Sequence, residues 1–220
     1  MDAKNAIKAV HSEKIEQEHF YCAQLGRWFY WNQSRWVPDD GEVQAVTGIL
    51  KRTAGDLTTS AVKEAQWALE HSQRATVSLD SLDCVQFCFS CHLMTVDLRS
   101  GVGYKPEFTD YITKGTPINP SAIKTPAWDA FFSWFNSGDE GRIEQMYRLL
   151  GYFLTGSTRE QQVYFLYGPG RNGKSVLLEL VKHLMGDYAV SVSPLLLVKD
   201  QHGNRHPTEM MTLRGARLGI

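Results

Sequence analysis

The feature that most constrains the fold is a glycine-rich segment that follows a short apolar run. Residues 162–167 read Gln-Val-Tyr-Phe-Leu-Tyr, a composition typical of a strand buried in a parallel sheet. Residues 168–175, hereafter the phosphate loop, match the pattern G-x-x-x-x-G-K-[ST] in full. Apolar residues then recur at helical spacing up to Gly186, which stands where a C-terminal glycine cap belongs. The order strand, loop, helix predicts an incomplete α/β P-loop core over residues 161–220.

The residue types of the phosphate loop suit a nucleotide. Glycines let backbone N–H groups turn inward towards phosphate oxygens, and the following helix adds the positive end of its dipole. Lys174 is expected to reach the β- and γ-phosphates, and the Ser175 hydroxyl to ligate Mg²⁺. ATP and Mg²⁺ are therefore the predicted cofactors. The predicted ATP-binding residues are Gly168, Pro169, Gly170, Arg171, Asn172, Gly173, Lys174 and Ser175.

Hydrolysis also requires an acidic residue, usually at the end of a neighbouring apolar strand. Asp200 comes nearest to this pattern, but Pro194 and Lys199 interrupt it, so a turn or strand-end acid is the favoured interpretation. Residues 213–220 predict a turn that enters a new buried strand. The missing acid is expected after Ile220, and the catalytic residues are therefore unknown.

The residues before the loop predict an α+β region over 1–120 and a helical linker over 121–160. Two β-prone runs around Asn32, Gln33 and Ser34 predict a hairpin, and residues 76–98 are β-like. Apolar residues at helical spacing predict five helices. The five sets of residues are Ile7, Val10 and Ile15; Val43, Val46 and Leu50; Val62, Ala65 and Leu69; Trp128, Phe131, Phe132 and Phe135; and Ile143, Met146, Tyr147, Leu150 and Leu154. Thr125 and Pro126 precede the fourth set, and a capping box at 137–140 precedes the fifth.

Composition limits the function classes. The chain has 220 residues, 43% of them hydrophobic, which is typical of a globular protein and excludes a disordered one. Its net charge of −1 does not indicate a polycation that binds nucleic acid. No apolar run approaches the length of a membrane span. Four cysteines without an export signal predict free thiols in the cytoplasm.

Several motifs in the chain share their order and spacing with one protein family. They are Trp28 to Trp36, residues 94–101 (MTVDLRSG), 125–128 (TPAW), 149–156 (LLGYFLTG), 167–175 (YGPGRNGKS) and 213–218 (LRGARL). Over about residues 20–220 the chain resembles the phage and plasmid primase–helicases, whose motor is an AAA+-like superfamily 3 helicase. The N-terminal part is similar to the region that precedes the motor there and in the related poxvirus primase–helicase.

The resemblance implies an ATP-driven helicase that unwinds DNA in replication and assembles as a homo-oligomeric ring in the cytoplasm of a bacterial host. The Walker B acid, the polar sensor and the arginine finger of that family are expected after Ile220. We therefore expect this chain to be a fragment that binds ATP, binds DNA weakly and hydrolyses ATP near background. Two alternatives stay open, a generic P-loop nucleotidase or kinase and a non-catalytic remnant that only binds nucleotide.

Three weaker patterns have both a functional and a structural interpretation. Cys88, Cys91 and His92 match the haem-attachment pattern, and Cys84, Cys88 and Cys91 could bind zinc with a fourth ligand such as Cys22 or His71, but plain strand thiols are favoured. His202 and His206 have helical metal-ligand spacing, yet Gly203 and Pro207 favour a polar loop. The aromatic residues of the predicted hairpin could stack on single-stranded bases, although packing on a core face is favoured. Those residues are Trp28, Tyr30, Trp31 and Trp36.

Overall fold

A computed structural model describes residues 18–39, 58–72, 75–194 and 213–220. The chain divides into two compact units, Met1–Cys84 with Pro106–Thr113, and Val85–Lys105 with Lys114–Ile220. The helices predicted around Val10 and Val46, and the residues Asp200, His202 and His206, lie outside the described residues. The predicted domain ranges 1–120, 121–160 and 161–220 stay predictions.

The first unit contains a three-stranded antiparallel sheet in the order β1-β2-β3. Its strands are β1 His19–Cys22, β2 Arg27–Trp31 and β3 Trp36–Pro38. The predicted hairpin is confirmed, because β2 pairs with β3 around the turn at 32–35. Asn32 fixes that turn, since its Oδ1 accepts the N–H groups of Ser34 at 3.0 Å and Arg35 at 2.8 Å.

Aromatic side chains of this sheet form the core of the first unit. Phe20 stacks on Phe29 with ring centroids 4.9 Å apart and meets Trp36 edge-on at 4.6 Å. Trp36 is 1% exposed and its Nε1 donates to Phe108 O at 2.8 Å. Trp28 is also buried, whereas Tyr30 and Trp31 are half-buried. The core interpretation of the hairpin aromatics is thus confirmed for Trp28 and Trp36.

The helix predicted around Ala65 is also confirmed. Helix α1 spans Thr59–Glu70 and buries Val62, Ala65 and Leu69 on one face. The Thr58 side chain caps its first turn by accepting Ala61 N–H at 3.3 Å. At the other end, Glu70 Oε1 accepts from Trp28 Nε1 at 3.2 Å, which ties the helix to β2.

The second unit opens with a three-stranded antiparallel sheet in the order β4-β5-β6. Its strands are β4 Cys88–Ser90, β5 Thr95–Asp97 and β6 Val102–Tyr104. The β-like prediction for residues 76–98 is confirmed only in part, because Leu79–Ser81 form a 3-10 turn. After β5, Asp97 accepts hydrogen bonds from Arg99 N–H and the Ser100 hydroxyl, which hold the pKa of that exposed carboxyl below its usual value.

Three helices follow, α2 Pro126–Phe135, α3 Glu140–Leu154 and α4 Lys174–Met185. The predicted stripe on α2 is confirmed as packing, since Phe132 is buried and Trp128, Phe131 and Phe135 pack against the same core. That core also holds Leu177, Val181 and Met185 of α4 together with Phe89, Cys91, Tyr188 and Ala189. Residues of α3 pack on its edge, among them Ile143, Met146, Leu150 and Leu154, as the spacing predicts. Tyr147, predicted on the same face, is 45% exposed.

The start of α3 corrects one prediction. The capping box predicted from Ser137 is wrong, because the N-cap residue is Asp139, whose side chain accepts Arg142 N–H at 3.1 Å. Ser137 instead adopts a positive φ of 58° in the turn between the helices. Asp139 competes successfully for the cap because its carboxylate also meets the positive helix end and lies 3.4 Å from Arg142 Nε.

The apolar run before the phosphate loop corrects a second prediction. Residues 162–167 form no strand, and Phe165 and Tyr167 are 81% and 92% exposed. A strand inside a parallel sheet requires a partner on each side. In the described part of the chain, parallel pairing occurs between β7 Ala189–Val190 and β8 Leu218–Gly219. The strand predicted from residues 213–220 is confirmed, since β8 pairs with β7, but it is not buried, because Leu218 is half-buried and Gly219 is exposed. At a coarser level, the small sheets and helices are those of a mixed α/β protein, whereas the α/β P-loop core stays a prediction.

Candidate phosphate-binding loop

Helix α4 positions the candidate site because its first residue is the loop lysine. Gly173 is the N-cap residue and adopts the left-handed conformation at φ 79°, which glycine favours. Its carbonyl accepts Leu177 N–H at 2.9 Å. The N–H groups of Lys174, Ser175 and Val176 therefore precede the first intrahelical donor and point off the end of the helix.

The far end of α4 is anchored as the sequence predicts. Leu177, Val181 and Met185 are buried, and the helix ends at Gly186. Lys182 and His183 lie in the last turn, where positive charge interacts favourably with the helix dipole. The helix that carries the loop is therefore held by the core of the second unit along its whole length.

The backbone of the loop itself is strongly curved. Gly168 has a φ of 146°, and Arg171 adopts a left-handed φ of 61° that few non-glycine residues take. The ideal Cβ position of Gly168 lies 2.7 Å from Asn172 Nδ2, so a larger residue there would displace the asparagine side chain. Glycine at 168 thus allows the two ends of the loop to approach each other.

Lys174 closes the loop through its ammonium group. Its Nζ donates to Asn172 Oδ1 at 2.6 Å, to Pro169 O at 3.0 Å and to Gly168 O at 3.1 Å. All three acceptors are neutral. A phosphate oxygen is charged and forms a stronger hydrogen bond with an ammonium group, so it would compete well for the same donor.

The remaining loop residues complete a donor set. Arg171 and Ser175 are exposed, so the guanidinium and the hydroxyl are open to solvent at the same end of α4. An ammonium group, unpaired helix N–H groups and a hydroxyl suit an anion accompanied by a hard cation. The structure brings the eight predicted residues 168–175 together as one loop, whereas their binding of ATP or Mg²⁺ stays a prediction.

The cysteine pattern at 88–92 lies on a strand and its following turn. Cys88 is in β4, and its Sγ accepts from the Tyr104 hydroxyl at 3.3 Å. Cys91 is 3% exposed, and burial raises the pKa of its thiol. All four cysteines are free thiols. Within the described ranges, no three side chains of the metal-binding types converge.

One residue of the second unit has a structural role that the sequence pattern does not reveal. The Arg217 guanidinium donates to the carbonyl oxygens of Leu154, Cys88 and Val85, and it lies 4.2 Å above the Tyr188 ring. It thereby joins the end of α3, strand β4 and the segment before β7. The only sequence feature that draws attention to Arg217 is its place in the motif at 213–218. A local pattern does not show hydrogen-bond partners that lie so far apart in sequence.

Comparison with known proteins assigns the N-terminal part of the chain to a family. Residues 10–135 match the family described as D5 N terminal like, which is more than half of the chain. The chain belongs to the D5 N terminal like family. The match ends with the last residue of α2, before the phosphate loop. The resemblance expected from the sequence is therefore confirmed at the level of this family, and the superfamily 3 motor stays a prediction.

A viral protein is also similar to this D5 N terminal like chain. Over 80 residues, the chain is 35% identical to a protein of Acanthamoeba polyphaga mimivirus named "Putative helicase L207/L206". The similar segment covers 36% of this chain and 8% of the mimivirus protein, so the chain spans a small part of that relative.

Among the described helices, none combines the length and the apolar character needed to cross a bilayer.

Proposed function

We propose that this chain is the ATP-binding part of a primase–helicase-like protein of phage or plasmid type. In the full-length protein, ATP hydrolysis would be coupled to DNA unwinding during replication. Membership of the D5 N terminal like family and the similarity to a helicase-named viral protein support the class. The observation that carries the proposal is the phosphate loop, which ends on the first residue of α4 with Lys174 Nζ turned back onto it.

The donor set fits a magnesium nucleotide. Phosphate oxygens would replace Gly168 O and Pro169 O around the Lys174 ammonium and would meet the N–H groups at the start of α4. The Ser175 hydroxyl is an oxygen ligand of the kind that Mg²⁺ prefers. When bound, Mg²⁺ would neutralise charge on the phosphates.

Under this proposal, each side chain has a separate task. Lys174 binds and orients the β- and γ-phosphates, Ser175 holds the metal, and Asn172 keeps the ammonium group in place before the nucleotide arrives. The exchange requires only that Nζ change acceptors, because the side chain already lies within the loop. Since the helix core behind Lys174 stays packed, we expect nucleotide binding to leave α4 unchanged.

DNA and a homo-oligomeric ring are the partners that we propose for the full-length protein. The net charge of −1 favours weak binding of DNA by this chain alone. Such binding should weaken steeply with salt, because released counterions dominate its free energy. A kinase or other nucleotidase remains the alternative enzyme class, and the family match favours the helicase class over it.

Calorimetry with Mg²⁺-ADP tests the proposal. We expect Lys174→Ala to abolish measurable binding, because it removes the charge that faces the phosphates. Ser175→Ala should instead weaken the dependence of binding on Mg²⁺. Lys182→Ala is the matched control, because it removes the same charge from the same helix, where Nζ donates to Ser191 Oγ at 2.7 Å. Binding that survives Lys174→Ala, or that Lys182→Ala removes equally, would contradict the proposed site.

A further inference from the structure

Trp134 lies outside the packed face of α2. Its neighbours Trp128, Phe131, Phe132 and Phe135 pack against the core of the second unit, whereas Trp134 is 59% exposed. Single exposed apolar residues are common on protein surfaces, so exposure alone does not define a site. The position of this ring relative to the phosphate loop is what distinguishes it.

The Trp134 ring lies directly against the backbone of the loop. A Cβ atom built on Gly173 would lie 3.0 Å from Trp134 Cζ3 and 3.0 Å from Phe131 Cε2. Gly173 immediately precedes Lys174, and its missing side chain is what admits the two rings. An exposed indole therefore borders the loop at the N-terminus of α4.

The indole also packs against a neighbouring ring of the same helix. Its centroid lies 6.1 Å from that of Phe131, at an interplanar angle of 40°. Phe131 in turn contacts Trp128 and Phe135 at 5.9 Å each. A ring that packs against neighbours on one side loses less conformational entropy than a free ring when a ligand stacks on its open face.

A nucleotide is longer than the loop that holds its phosphates. Its base must lie beyond the loop and favours an aromatic surface, since base–aromatic stacking contributes about 1–3 kcal/mol. We propose that Trp134 is the base-stacking residue for a nucleotide whose phosphates bind residues 168–175. This inference rests on the proposed function. Because every base has a π-face, stacking on Trp134 favours ATP only weakly over GTP.

Tyr167 is the alternative residue on which the base could stack, because it directly precedes Gly168 and is 92% exposed. It belongs to an extended segment that forms no strand, and its near-complete exposure leaves its side chain with almost no packing. Trp134, in contrast, lies on α2 and packs against Phe131 and Gly173. A preorganised ring binds a base at lower entropic cost, so Trp134 is the better platform.

The experiment compares two probes, Mg²⁺-ADP and inorganic tripolyphosphate, by calorimetry on the whole chain. We expect Trp134→Ala to weaken ADP binding about 5- to 150-fold, as the stacking free energy implies, and to leave tripolyphosphate binding unchanged. Trp134→Phe should restore most of the ADP affinity. Trp67→Ala is the matched control, because Trp67 is 62% exposed on α1, in the other unit, and it should change neither affinity.

The outcomes separate this inference from the proposed function. Unchanged ADP affinity in Trp134→Ala, an equal loss for both probes, or a loss confined to Tyr167→Ala would overturn the role of Trp134. If the wild-type chain binds both probes and Trp134→Ala changes neither affinity, the phosphate site stands and the base site is wrong. If it binds neither probe, both proposals are wrong.

Discussion

Replacing Gly186 with alanine is expected to destabilise the second unit strongly. Gly186 ends α4 with φ 56° and ψ −128°, a conformation that residues with a side chain rarely adopt. A Cβ there would lie 2.7 Å from Gly115 O and 2.8 Å from Thr116 Cα. Both neighbours are backbone atoms, so no flexible side chain can move away to relieve the contact.

The magnitude follows from two separate costs. Holding a non-glycine residue in this conformation costs about 1–3 kcal/mol. Forcing a methyl group against packed backbone costs about 1–3 kcal/mol more. We therefore expect a loss of about 4 kcal/mol in the free energy of unfolding, which corresponds to a fall in Tm of about 8–16 °C for a chain of this size.

Two other glycines separate the costs in the same assay, urea unfolding followed by circular dichroism. Gly138 has φ 69° and nothing within 4 Å of its Cβ position, so Gly138→Ala should show only the conformational cost. Gly151 lies inside α3 with open space around it, so Gly151→Ala should stabilise the protein by up to about 1 kcal/mol. A Gly186→Ala loss no larger than that of Gly138→Ala would refute the steric argument.

Two further predictions concern the core of the second unit. Burial raises the pKa of the Cys91 thiol, so its thiolate is scarce. A thiol reagent at pH 8 should therefore modify the exposed Cys84 much faster than Cys91, as measured by mass spectrometry. Equal rates would contradict the buried placement of Cys91. Arg217→Met should lower the free energy of unfolding by about 3 kcal/mol, because it leaves several carbonyl oxygens without their charged donor. Arg217→Lys should recover part of that loss in the same urea titration, and a neutral effect of Arg217→Met would show that the carbonyls find other partners.

Local patterns predicted the elements whose determinants lie within a few residues. The hairpin at 27–38 follows from the aromatic runs and from the Asn32 turn. Helix α4 follows from the spacing of Leu177, Val181 and Met185 and from the glycine at 186. In each case the residues that decide the structure are adjacent on the chain or one helical turn apart.

Features that depend on distant partners were predicted less well. The run at 162–167 has the composition of a buried strand, but a strand also needs partners, and composition does not supply them. The hydrogen bonds of Arg217 join residues more than sixty positions apart. The predicted cap of α3 was wrong for another reason. Ser137 and Asp139 both suit an N-cap position, and only the geometry of the turn decides between them.

The candidate site combines both kinds of information. The eight loop residues are a local pattern that the sequence alone predicts, and their binding of a nucleotide stays a prediction. What holds the loop in the structure is not the expected strand at 162–167 but helix packing, since Gly173 lies against Phe131 and Trp134 of α2, and Leu177 shares a core with Phe132. Because α2 is the last element of the D5 N terminal like match, the family region itself contributes one wall of the loop. A change on α2 should therefore alter nucleotide binding even though it lies about forty residues before the lysine that would bind the phosphates.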